Sequence, residues 1–293
     1  MSTSQLVWLI TGTSTGVGRD LALAALARGE KVIATARARS VHQINDLKDK
    51  GAETLELDVT APLNELKKIA EKAVGIYGRV DVLVNNAGYI LAGALEESTP
   101  EETFEQFNPR LVMIYSTNVF GALNVARAFL PYMRARRTGT IVWVGSIGGW
   151  RSVPNAGLYG ATKWALRGIS ETLHVEVQPL GLRSICIDLG YFRTSFLTAD
   201  HRKPHVARID DYKELTGKVE AAFQAYNSNQ PGDPKKGVQV MLDVVRGEGV
   251  AQGKEFPKSL LLGSDCFGSV QKQLDDYLKL QSEWETVSKS TDF

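Results

Sequence analysis

A chain of 293 residues, 43% of them apolar and with a formal net charge of +1, has material for a large core. It shows no electrostatic bias toward nucleic acid or an acidic membrane surface. Its two cysteines argue against a disulfide framework, and no uninterrupted apolar run approaches the roughly 20 residues of a membrane span, so a cytoplasmic protein without a membrane partner is expected. The four histidines are scattered, and His201 and His205, split by Pro204, lack a Cys or Glu to complete a set, so no metal site is expected.

The first predicted strand, residues 6–11, runs into Thr11-Gly12-Thr13-Ser14-Thr15-Gly16-Val17-Gly18, and residues 16–28 read as a helix. Glycines between a strand and a helix let the backbone approach a pyrophosphate. The helix N-terminus adds free N–H groups and a positive dipole end. The second strand, 31–36, ends about 20 residues past the glycines, where an acid would bind the ribose 2′-hydroxyl of NAD. Arg37 and Arg39 stand there instead. A guanidinium can pair with a 2′-phosphate through two hydrogen bonds, which favours NADP(H). A helix is predicted over 41–50 and a strand over 54–57. Asp58 and Val59 follow that strand, with Asp58 placed to reach the adenine edge.

After a helix over 63–77, a strand over 80–85 closes on Asn85-Asn86-Ala87-Gly88. Small residues and amides there let a cofactor lie across the carboxyl edge of an open sheet. The next helix, 116–137, carries Asn118, and the strand 140–145 leads to Ser146. On the helix 157–178, Tyr159 and Lys163 are four apart and therefore share a side. Free tyrosine has a pKa of about 10, high for proton exchange near neutrality. An adjacent ammonium and a positive nicotinamide ring would lower it, leaving Ser146 to hold a substrate oxygen.

The strand 183–189, with Cys186 in its apolar run, ends at Leu189-Gly190. A charged, helix-prone excursion near 195–232 reads as a substrate lid. A helix over 234–246, a strand over 258–262 and a C-terminal helix near 265–287 complete the chain. Strands alternating with helices predict an α/β, doubly wound parallel sheet with right-handed crossovers. With no long linker or repeat, residues 1–293 read as a single domain.

As a set, these motifs resemble the short-chain dehydrogenase/reductase family in its single-domain form. The matching stretches are TGTSTGVG at 11–18, LDVT at 57–60, NNAG at 85–88, TNVFGALNV at 117–125, GSIGG at 145–149, YGATK at 159–163 and LGYFRT at 189–194. The resemblance covers most of residues 6–195. It implies a Rossmann fold and an NADP-dependent oxidoreductase that interconverts a carbonyl and an alcohol. It makes Tyr159 the acid/base, sets Lys163 on Tyr159 and the nicotinamide ribose, and gives Ser146 the substrate carbonyl. Asn118 would support a water-linked proton relay, and Thr194 would contact the carboxamide. The implied cofactor set is Gly12, Ser14, Thr15, Gly16, Val17, Gly18, Arg37, Asp58, Val59, Asn85, Ala87, Gly88, Tyr159, Lys163, Gly190, Phe192 and Thr194.

The chain departs from the family pattern in three places. Leu189-Gly190 replaces the usual Pro-Gly, residues 108–116 look like an insertion, and the chain continues well past the sheet. The expected substrate pocket is apolar and partly aromatic, with Ile147, Trp150, Val153, Leu158, Tyr191 and Phe196. No arginine pair or carboxylate clamp is evident, although Arg151 and Arg193 are present. A medium-sized apolar or aromatic small molecule follows, similar to substrates of carbonyl reductases and hydroxysteroid- or retinol-type dehydrogenases. In the family the helices near 117–137 and 157–178 pair across a two-fold axis. Here that face carries Leu123, Ala126, Leu130, Leu166, Ile169 and Leu173, so a homodimer is expected, with a tetramer possible if the C-terminal helix leaves a second axis open. The alternative is a non-catalytic NADP(H)-binding sensor on the same fold. The intact set of Asn118, Ser146, Tyr159 and Lys163 argues against it, since a sensor has no need of all four.

Overall fold

Strands buried on both faces read as near-continuous apolar runs, and such runs form the centre of a seven-stranded sheet in the computed structural model, which describes residues 5–100, 114–198, 202–203 and 207–293. The edge strand Glu53–Glu56 carries an exposed glutamate at each end. The seven strands are β1 (Val7–Ile10), β2 (Lys31–Ala36), β3 (Glu53–Glu56), β4 (Val82–Asn85), β5 (Gly139–Val144), β6 (Leu182–Leu189) and β7 (Ser259–Leu262). Their spatial order is β3-β2-β1-β4-β5-β6-β7. Every pairing is parallel, with Leu9 of β1 aligned between Ile33 and Leu83. The direction of winding reverses between β1 and β4. Open sheets of this kind bind ligands in the crevice beyond the strand carboxyl ends at such a reversal.

Alternating side chains split the core in two. Trp8, Ile10, Val142 and Val144 face one layer, with α1 (Gly16–Ala27) and α7 (Pro234–Arg246). Val7, Leu9, Ile141 and Trp143 face the other, with α3 (Leu63–Tyr77), α4 (Ala122–Arg136) and α5 (Gly157–Val177). The fold is thus the expected doubly wound α/β sheet.

Two predicted helices differ in form. The helix expected over 41–50 is a 3₁₀ segment, Ala38–Ile44, followed by one α turn, α2 (Asn45–Lys48). Its apolar residues Val41, Ile44 and Leu47 recur every third position, a spacing that suits three residues per turn. The helix expected over 116–137 opens with a π turn, Ser116–Gly121, before α4. Gly121 lets this turn sit close to the β3 exit: a Cβ there would lie 2.7 Å from Ser116 O and 2.8 Å from Val59 O. The insertion expected at 108–116 lies outside the described residues, except for 114–116.

The excursion after β6 holds a short strand, Arg202–Lys203, that pairs with Ile90–Leu91, and a helix, α6 (Lys213–Tyr226). Residues 199–201 and 204–206 fall outside the described part. Buried Glu97 anchors the excursion by accepting the N–H groups of Arg208 (2.8 Å) and Ile209 (3.0 Å) through Oε1. Phe223 and Val219 of α6 then join Tyr159, Leu197 and Ile90 in one apolar cluster. The chain ends in α8 (Ser264–Glu283) and α9 (Glu285–Lys289). Cys266 and Val270 bury the start of α8 against Ile147, while Tyr277, Leu278 and Trp284 are exposed. No helix among the described residues is long and apolar enough to cross a membrane.

Candidate active site

A cavity of about 1000 Å³ runs along the carboxyl edge of the sheet. Its wall passes Arg37 after β2, Gly12 after β1, Ala87 after β4, Ser146 after β5 and Gly190 after β6. The turn from β1 into α1 is locked to the Asn-Asn-Ala-Gly segment. Asn86 Nδ2 donates to Thr11 O (2.9 Å) and Gly12 O (3.0 Å), and the Asn86 and Ala87 N–H groups donate to Thr11 Oγ1. Gly18 has no room for a side chain, since a Cβ would lie 2.3 Å from Asn86 Nδ2. Gly12 and Gly16 have φ of 71° and 60°, conformations that favour glycine. No side chain caps the start of α1 and its first turn holds no acid, so its N–H groups and positive end face an incoming anion. Ser14, Thr15, Val17, Asp58, Val59, Gly88 and Arg39 line the same stretch, joined by Ser40 and Gln43, which carried no signal in the sequence. Burial and the neighbouring Arg39 both push the Arg37 guanidinium down from its ordinary range.

At the other stretch, Ser146, Tyr159 and Lys163 meet. Ser146 Oγ accepts the Gly148 N–H at 3.1 Å and lies against the Tyr159 phenol. Lys163 Nζ donates to Val144 O at 2.7 Å and sits 5.7 Å from the centre of the Tyr159 ring. Both side chains are buried. Burial pushes the Tyr159 phenol well above its ordinary range, against the opposing pull of Ser146. Burial likewise pushes the Lys163 ammonium down to about 8. The lowered tyrosine expected from the sequence needs the ammonium and a positive nicotinamide ring together. In the protein alone, desolvation outweighs the pull of Ser146, and the Lys163 ammonium is turned to Val144 O.

Several selected residues do not line the cavity. Asn118, in the π turn, accepts the Tyr89 N–H (3.2 Å) and donates to Tyr89 O (3.1 Å) and Thr162 Oγ1 (3.2 Å). Both its amide protons are used, so the side chain braces the β4 exit against α5. Asn85 is buried, with neither side-chain polar atom hydrogen-bonded to a described residue. Gly18 packs on Asn86, and Leu158 sits in the apolar cluster beside Tyr159. Trp150 faces away as well. Its ring stacks on the Arg167 guanidinium at 3.7 Å and its Nε1 donates to Asp188 Oδ2 at 2.8 Å. Ile147, Val153, Tyr191, Phe192, Thr194 and Phe196 do line the cavity, together with Tyr89, Ile90, Ala156, Leu197 and Phe223.

The most consequential residue missed is Asp188. Its carboxylate is fully buried behind Ser146 and accepts the Ser146 N–H at 3.0 Å through Oδ1. Gly145 makes this approach possible, because a Cβ there would fall 1.9 Å from Asp188 Oδ1. Burial pushes the carboxyl up, while its hydrogen bonds from Trp150, Cys186 and Ser146 hold it down. The signal was an acid inside the apolar run Ile185–Leu189, a placement that demands partners.

The lysine shift has a measurable sign. An unfolded lysine holds its proton to a pKa of about 10.4, while the folded Lys163 releases it near 8. Between these values the unfolded chain binds more protons, so stability rises with pH. Urea unfolding of the cofactor-free protein should therefore show a gain from Lys163 between about pH 8 and 10. Lys163→Met should lack that gain; parallel stability curves for the two proteins would contradict it.

The comparisons with known proteins agree with this geometry. A family model described as short chain dehydrogenase matches residues 6–204. The chain is 37% identical over 212 residues to a 3-ketodihydrosphingosine reductase of Bacteroides thetaiotaomicron, covering 72% of this chain and 70% of that one. The crystal structure of a short-chain dehydrogenase from Streptomyces avermitilis superposes with a TM-score of 0.83 at 35% identity, covering all of both chains. An actinorhodin polyketide ketoreductase with NADPH gives a TM-score of 0.71 at 25% identity, over 92% of this chain and 99% of that one. With the family model spanning the sheet from β1 through β6 and the Ser-Tyr-Lys set in one cavity, this chain belongs to the short-chain dehydrogenase family of oxidoreductases.

Proposed function

We propose that the protein is an NADP(H)-dependent oxidoreductase that interconverts a ketone or aldehyde and an alcohol on a medium-sized, largely apolar molecule. The observation that carries the reading is the meeting of Ser146, Tyr159 and Lys163 in the cavity that also holds the uncapped α1 N-terminus and Arg37. The donor set fits a dinucleotide. Free N–H groups at Gly16–Gly18 suit a pyrophosphate, and Arg37 with Arg39 suits a 2′-phosphate better than a bare ribose hydroxyl. When bound, the nicotinamide supplies or accepts the hydride.

The remaining chemistry belongs to the chain. Ser146 Oγ holds the substrate oxygen beside the Tyr159 phenol. In reduction the phenol gives its proton to that oxygen as the carbonyl becomes an alcohol; in oxidation the proton returns. Lys163 places a cation behind the ring and stabilises the phenolate left after transfer. Phe196, Leu197 and Phe223 roof the site and exclude water, which strengthens each of these electrostatic contacts. An apolar roof and wall suit an apolar substrate body.

Tyr159→Phe keeps the ring and loses the proton. NADPH binding should survive while turnover of a ketone panel falls by about 100-fold or more, read from NADPH absorbance. Near-normal turnover in the variant would sink the assignment. NADPH binding by the wild type with no turnover on any ketone would point instead to a cofactor-binding protein without catalysis. Arg37→Ala should weaken NADPH by roughly tenfold to a hundredfold more than NADH, the worth of one charge-assisted hydrogen bond. Equal loss of both would make Arg37 a structural residue and remove the case for NADP.

A dimer through α4 and α5 is part of the same proposal. Leu123, Leu130, Ile169 and Leu173 of that face are half-buried, and Phe120 and Trp164 beside it are exposed by 52% and 40%. Ala126 and Leu166 are instead buried in the chain's own core. Light scattering at micromolar concentration should give a mass near twice the 32.1 kDa of one chain; a single-chain mass would rule the pairing out.

A further inference from the structure

Arg151, Arg167, Arg193 and Arg208 stand near the turn that carries Ser146 or on the chain after β6; of these Arg151 lines the cavity, and the other three are tied down. Arg167 donates to Gly149 O at 2.9 Å and is sandwiched between the Trp150 and Trp164 rings. Arg193 donates to Gln230 O through Nε and Nη2. Arg208 is bound to Glu97. Arg151 is different. It is half-buried on the turn five residues past Ser146, held there by its own N–H donating to Ile147 O at 3.3 Å. Its side chain lines the cavity. Its Nε is shut off from solvent and has no hydrogen-bond partner among the described residues. The guanidinium lies over the Tyr191 ring, 6.0 Å from its centre, and Tyr191 in turn packs edge-on against Tyr226 of α6. Asp265, which accepts the Tyr191 N–H at 2.7 Å through Oδ2, makes no ion pair with Arg151, and no other acid among the described residues does.

A buried N–H without an acceptor carries a cost of desolvation, and that cost is recovered when a ligand brings the acceptor. Arg37 and Arg39 stand at the exit of β2, whereas Arg151 stands on the turn that follows β5 and carries Ser146. The sheet order puts β1 and β4 between those exits, so one cavity holds cations on both sides of the α1 N-terminus. The pair after β2 suits the cofactor. The one after β5 shares its wall with Val153, Tyr191 and Ser146. A guanidinium presented on an aromatic ring, with a planar fork of donors, matches a carboxylate.

We infer that Arg151 forms an anion subsite and that the substrate is an apolar or aromatic ketone, or the corresponding alcohol, bearing a carboxylate on the far side of its apolar body from the reacting carbon. This assignment rests on the oxidoreductase reading given above and narrows its substrate class. It also gives Tyr191 a use, as the platform on which the guanidinium lies.

The test uses 5-oxo-5-phenylpentanoate and its methyl ester, with homologues one or two methylenes shorter and longer, on the NADPH-loaded protein. For at least one chain length the wild type should prefer the acid to the ester by about tenfold or more in kcat/KM, the effect of a charge-assisted hydrogen bond. Arg151→Gln should collapse that acid-to-ester ratio, and Arg151→Lys, which keeps a point charge without the fork, should retain part of it. Calorimetry with the matching hydroxy acid, 5-hydroxy-5-phenylpentanoate, gives a readout free of turnover, and its affinity should fall by a similar factor in Arg151→Gln. Turnover of the esters with no acid preference at any length overturns the subsite and leaves the oxidoreductase reading intact. Binding of the hydroxy acid that depends on Arg151, with no turnover of any ketone, upholds the subsite and defeats the reading beneath it. An acid-to-ester ratio that survives Arg151→Gln also overturns the inference.

Discussion

A lysine ammonium buried with a carbonyl rather than a carboxylate as its hydrogen-bond partner, and with the buried Asp188 acting on it only through its charge, is the constraint on which this site turns. Lys163 has one fixed partner, the Val144 carbonyl at the last residue of β5, at 2.7 Å. A cation so placed loses most of its hydration, and burial accordingly pushes its pKa down to about 8. The position is set by two elements at once. β5 must end where it does to present Val144 O, and α5 must pack its Tyr159–Lys163 face on that strand end. Gly149 is part of the arrangement, because a Cβ there would meet the Lys163 backbone at 3.0 Å. The neighbouring phenol is desolvated by the same packing and held neutral. A neutral phenol beside a cation with no carboxylate in hydrogen-bonding contact suits proton donation, since transfer creates an anion next to that cation.

Behind this pair stands a second layer of buried polar groups. Asp188 accepts the backbone of Ser146 and the indole of Trp150, while Arg167 clamps the far side of the Trp150 ring and Gly149 O. The turn that carries Ser146 is therefore fastened from the sheet side and from α5. On the next loop, Asp265 at the start of α8 accepts the Tyr191 N–H where the family pattern has a proline nearby. Hydrogen bonding from the C-terminal helix thus fixes a loop whose stiffness would otherwise come from a fixed φ at position 189. The chain beyond the sheet is in this sense part of the site.

The sheet was legible in the sequence because strands covered on both faces must be apolar along most of their length, as β1, β4 and β5 are. The glycine turn was legible because Gly12, Gly16 and Gly18 sit where a strand must become a helix at close quarters with Asn86. Legibility failed where one residue type serves two purposes. Trp150 reads as a pocket wall from its composition, yet its indole N–H required an acceptor and Asp188 turned the ring away from the cavity. Residues 41–50 read as an α-helix by apolar content, though a spacing of three already favoured the tighter turn. The upward Tyr159 shift of the protein alone was not legible, because charges are visible in a sequence and desolvation is not. Phe223 gave no signal, since only the path of the excursion brings α6 over the site.

On the proposed function, the fold alone holds the Tyr159 phenol neutral, and a bound oxidised cofactor, acting with Lys163, brings it into the range where it can exchange a proton. Ultraviolet difference titration of tyrosinate, wild type minus Tyr159→Phe, measures this directly. The account predicts no Tyr159 ionisation below about pH 10 in the cofactor-free protein, a marked downward shift when oxidised cofactor is added, and loss of that shift in Lys163→Met. Ionisation of Tyr159 near neutrality without cofactor, or a shift that persists without Lys163, would contradict it.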